Sequence, residues 1–150
     1  MYFFLWARIV VRAVILVLNV CGISLCLTSS TLTNTIAKTE EAMRRSPAFQ
    51  KAVQVFLRAW RHAGDSNMKK GQAIYSLIFA TNAAGFLWMI ITCLCFSMTK
   101  WDWCKTVART GAMIFATFGS AGFALAGKIA LAVTAAIDLA EDINEAIKLL

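Results

Sequence analysis

Hydrophobic residues in this chain fall into three long blocks, separated by one polar, basic stretch and one short aromatic connection. The middle block sets the frame. From Gly71 to Thr99 there is no Asp, Glu, Lys, Arg or His. A helix of that length reaches roughly 43 Å, enough for a hydrocarbon core and both interfaces. Tyr75 stands near one end, and Trp101 and Trp103 lie just beyond the other, where amphipathic rings sit at head-group depth. The first block, Met1 to Ser30, is nearly all aliphatic from Ala13 to Cys26. Arg8 and Arg12 could serve a cleaved signal peptide as its basic region, but Tyr2 to Trp6 are large and apolar and precede them. Leu25 also stands where a lipoprotein signal needs a small residue, so a retained membrane helix is expected. The third block, Thr110 to Ile137, holds Lys128 as its one charge.

The pattern therefore predicts an all-α integral membrane protein, one membrane domain over 1–150, with spans at about 5–29, 72–98 and 108–134. The connection from Thr99 to Arg109 is short, so the second and third spans form a tight hairpin with its two tryptophans at an interface. In the third block Ala112, Ala116, Ser120 and Ala124 recur every four positions, with Gly119 among them. Small side chains let two helix backbones approach closely, which makes this face a helix-packing surface.

Between the first two blocks, residues 31–70 are polar and predict two helices. One covers about 33–45. The other runs from about 47 to 63, because Ser46 can cap it, Pro47 suits its first position and Gly64 can close it. Stepped at 100° per residue, Phe49, Ala52, Val53, Phe56, Leu57, Ala59, Trp60 and Ala63 share one arc, while Lys51, Arg58, Arg61 and His62 take the other. An anionic leaflet or a protein surface, including the acidic stretch near the C-terminus, could receive the apolar arc. That stretch, about 137–150, extends the third helix and gathers Asp138, Glu141, Asp142 and Glu145 on one side.

Charge refines the topology. Residues 31–70 carry eight Lys/Arg against three acids, and with three spans they lie on the same side as the C-terminal extension. Nine Lys/Arg there, against five on the other side, place that loop in the cytoplasm or a mitochondrial matrix. A net charge of +7 would suggest nucleic acid in a soluble chain; with 59% hydrophobic residues it points instead to anionic lipid or acidic subunits, and to no nucleic acid. Arg8 and Arg12 lie four apart, on one face of an otherwise apolar helix. Snorkelling to lipid head groups is the ordinary outcome, a partner's carboxylate or a wet conduction path the alternatives. Lys128 is read in the same way, as contacting the near interface or an acid.

No catalytic pattern emerges. His62 has no partner fixed by sequence, no Gly-rich phosphate loop follows a strand, and the five cysteines do not converge: Cys21 and Cys26 lie about 140° apart on a helix, Cys93 and Cys95 about 200°. No metal and no cofactor are expected, apart from a structural phospholipid. The contacts expected with lipid head groups or partner subunits fall on Arg8, Arg12, Lys51, Arg58, Trp60, Arg61 and Lys128. The function expected is a non-catalytic accessory subunit of a membrane complex, in a mitochondrial inner-membrane respiratory or ATP synthase assembly. A self-assembling pore or holin-like protein, or a small transporter component, is the alternative.

Overall fold

The computed structural model describes residues 3–23, 25, 27–95, 99–115, 121–133 and 136–149, the stretches 110–115 and 121–126 by their backbone alone. Eight helices account for them, with no strand among the described residues: α1 Phe3–Val20, α2 Ser29–Arg44, α3 Pro47–Ala63, α4 Asn67–Ala83, α5 Leu87–Leu94, α6 Lys100–Phe115, α7 Ala121–Val133 and α8 Ile137–Lys148. The all-helical class expected from the hydrophobic pattern holds.

The core is built around α1. Its sequence is apolar except for Arg8, Arg12 and Asn19, which share one partly exposed stripe with Phe4, and the rest of its circumference has no face to give to water. Ile9, Val10, Val11 and Ala13 point in different directions and are all fully buried. They can be, because α2, α4, α5, α7 and α8 all pack against this one helix. Burying each of its large side chains contributes about 1.5–3 kcal/mol, so α1 is the axis on which the bundle assembles.

Two apolar runs stop earlier than their hydrophobicity suggests, and glycine is the reason in both. After α1, Gly22 takes φ 83°, its N–H bonds the Asn19 carbonyl, and the Ile23 N–H reaches back to Leu18. After α4, Gly85 takes φ 86°, with the matching bonds from Gly85 to Asn82 and from Phe86 to Thr81. Both closures use the left-handed backbone that glycine adopts without strain. Beyond the second closure α5 leaves at 99° to α4. The run expected as one helix over 72–98 is therefore two, and the first helix ends well before residue 29. In the third run α6 ends at Phe115 and α7 begins at Ala121, with the residues between outside those described.

By length and composition α1 is the one described helix able to cross a membrane alone, and α4 with α5 passes the same test only as a bent pair. That test is passed equally by the core helix of a soluble protein, and α1 is mostly buried within the bundle.

The polar loop folds as its caps direct. Ser46 accepts a hydrogen bond from the Phe49 N–H at 3.2 Å, Pro47 opens α3, and Gly64 closes it with φ 57°. Phe49, Val53, Phe56, Leu57, Trp60 and Ala63 are buried along it, which is the predicted arc without Ala52 and Ala59. A three-residue turn sends the chain back as α4, and α3 packs along it. In α2 the buried Thr35 and Thr39 satisfy their hydroxyls by donating to the carbonyls of Thr31 and Thr35.

Candidate functional site

Three places gather the charges singled out by sequence. The first joins α1 to α8. A four-residue spacing sets Arg8 and Arg12 on one face of α1, and the same spacing sets Asp138 and Asp142 on one face of α8. Arg8 holds Asp142 through two bonds, Nε to Oδ2 at 3.1 Å and Nη2 to Oδ1 at 2.8 Å. Arg12 Nη1 lies 3.1 Å from Asp142 Oδ2 and 4.0 Å from Asp138 Oδ2. The Asp142 side chain is 8% exposed and that of Asp138 82%, so one carboxylate is enclosed by two guanidinium groups while the other stands at the rim. The Arg8 guanidinium also lies 5.6 Å from the Phe4 ring centre. Paired guanidinium–carboxylate bonds are about twice as strong as neutral ones, and removing one partner of a buried pair costs about 3–5 kcal/mol. This contact therefore decides whether α8 docks. The carboxylates come from the chain itself, whereas the sequence left head groups, a partner subunit or a conduction path open.

The acids were visible in sequence, but as one face of a helical extension rather than as partners for α1. Their spacing, equal to that of the arginines, was the available signal. It could not be used without knowing that residues 134 positions apart would meet.

The second place is the α3–α4 hairpin. The apolar face of α3 is received within the chain, with Phe56, Leu57 and Trp60 buried. Lys51, Arg58 and Arg61 are exposed on its outer side. The Trp60 ring lies beneath the Lys70 ammonium, 5.1 Å from its centre, a pairing the sequence did not single out. Between the two helices runs an open groove of about 650 Å³, floored by small residues such as Ala52, Ala59, Ala73 and Ala80. Lys51, His62 and Lys69 line it, and no acid does.

The third place is the end of α1. The Arg109 guanidinium donates to the Gly22 carbonyl, holding a cation at the terminus where helix carbonyls gather negative charge. Lys128 is exposed on α7, next to the buried Ile129 and Ala130. The packing face expected on Ala112, Ala116, Gly119, Ser120 and Ala124 lies outside the residues whose side chains are described.

A further open pocket of about 680 Å³ adjoins the arginine cluster, lined by Arg12, Asn19, Leu32 and Asp138 among others. Among the described residues, no three His, Cys, Asp or Glu side chains come together as metal ligands. The described cysteines are unpaired, and Cys104 is the exposed one. Among the described residues these places hold ion pairs that lock helices and cations beside apolar surface. No protein family, curated protein or solved structure matches this chain.

Proposed function

We propose that the chain is an integral membrane protein that serves as a non-catalytic accessory subunit of a membrane complex. Its apolar segments, about 5–29, 72–98 and 108–134, meet the bilayer, the second of them as the bent pair α4–α5. One observation carries this reading. Although the core is filled around α1, large apolar side chains remain outside it: Leu131 is 81% exposed, Trp101 69% and Ile137 64%. In a chain of mean hydropathy +0.67, such residues call for cover by lipid or by other subunits. The proposed compartment is the mitochondrial inner membrane, in keeping with a small, basic chain of few spans.

A second reading has its own support. The one described helix long and apolar enough to cross a membrane alone lies at the centre rather than at a lipid-facing rim, as in a protein that stores a membrane-inserting helix until it assembles a pore. Purification in mild detergent followed by native mass spectrometry separates the two. Unlike subunits bound to the chain support the first reading; a pure homo-oligomer supports the second and overturns the first.

A further inference from the structure

We infer that the α3–α4 groove holds one anionic phospholipid, with an acyl chain along its alanine floor and the phosphate between His62 and Lys69. The inference rests on the membrane reading above and assigns a ligand to a site that reading leaves empty.

Most of the residues that line the groove are apolar, Gln72 and Ser76 are neutral polar groups along its α4 side, and its basic groups sit at the ends. His62 and Lys69 flank the turn that joins the two helices, while Lys51 lies eleven positions before His62, about 16 Å along α3. Ala59 and Ala73 line the middle, where a larger side chain would close the slot. None of Lys51, His62 and Lys69 has a carboxylate within ion-pair distance among the described residues. Lys70, one residue on, is turned onto Trp60 instead. Asp65 lies in the turn and is exposed, but it does not line the groove.

This distribution separates a lipid from a helical partner. A docking helix brings charged side chains of its own at every turn, and the groove offers no acid to receive its cations. His62 and Lys69 stand together at the turn end against Lys51 alone at the other, so basic groups are weighted to one end of the slot, which suits a phospholipid with its one charged end and long apolar body. Arg61, exposed beside His62, adds positive charge at the head-group end.

The test uses the full chain in neutral detergent, exchanged into bilayer discs of phosphatidylcholine alone or mixed with phosphatidylglycerol. Native mass spectrometry after release should show one phosphatidylglycerol retained per chain in preference to phosphatidylcholine. Lys69→Gln should weaken that retention about fivefold, the factor matching about 1 kcal/mol for one cation near an anionic head group. Ala59→Trp, at an exposed position, should abolish it while leaving the helical circular dichroism and melting temperature unchanged. Ala73→Leu serves as the second blocking variant if the first fails to fold. Equal retention of both lipids, undiminished retention in the blocked variants, or a subunit that shields Lys69 in place of lipid would each overturn the assignment. The same spectra keep the two claims apart. Bound subunits without phosphatidylglycerol defeat this inference alone, and phosphatidylglycerol without subunits defeats the accessory-subunit reading alone.

Discussion

The helices α1 and α3 each carry cations on an otherwise apolar scaffold, and the bundle treats them in opposite ways. In α1 the charges stand on one narrow stripe of a helix whose other sides are buried, so Arg8 and Arg12 must be answered, and Asp142 answers both from α8. In α3 the charges are segregated from the apolar arc, so Lys51, Arg58 and Arg61 remain outside and nothing in the core depends on them. Where a charge sits on the helix circumference therefore decides whether it becomes part of the fold or stays available to a ligand. A buried pair is costly to break and an exposed cation is cheap to lose.

The hardest break in that contrast is Asp142→Ala. It leaves two guanidinium groups beside the core without their enclosed carboxylate and should lower stability by about 3–5 kcal/mol in equilibrium unfolding. A loss under 1 kcal/mol would mean that α8 is held by Leu139, Ile143 and Ala146 alone. Next comes Leu57→Ala, which empties a fully buried position on the apolar face of α3 and should cost about 3 kcal/mol. If it matches wild type, the α3 face is not packed in solution. Ser46→Ala removes the α3 cap and should cost about 1 kcal/mol, visible as a modest fall in melting temperature. The smallest effect belongs to Arg58→Ala, expected within about 0.5 kcal/mol of wild type. A larger loss would place Arg58 among the structural cations with Arg8 and erase the distinction.

The same contrast marks what could be read from sequence. The bounds of α3 were legible because Ser46, Pro47 and Gly64 act locally, within a turn of the residues they cap. The helical, two-faced character of 137–150 was legible because its acids and apolar residues separate cleanly, but the stretch was expected to extend the third helix and α8 is a helix of its own. The ends of α1 and α4 were not. Hydrophobicity tells where a segment can be dry, and says nothing of Gly22 and Gly85 turning the backbone within apolar runs. Gly64 was read as a helix stop because polar residues follow it; the other two also close helices at positive φ, but amid Cys21, Ile23, Ala84 and Phe86. The candidate site was legible in its cations and not in its geometry. The spacing of Arg8 and Arg12 was evident, but their partner depends on a contact across nearly the whole chain.

That contact also constrains how the protein is made. Synthesis delivers Arg8 and Arg12 first and Asp142 134 residues later, an interval on the order of ten seconds at ordinary elongation rates. Until α8 emerges, the helix at the centre of the bundle carries two unanswered positive charges and lacks part of its cover. A nascent chain at this stage resembles a client for the insertion and chaperone machinery more than a finished bundle. The arrival of Asp142 is the event that seals it, so a ribosome stalled before α8 leaves a product with its central helix still open to capture.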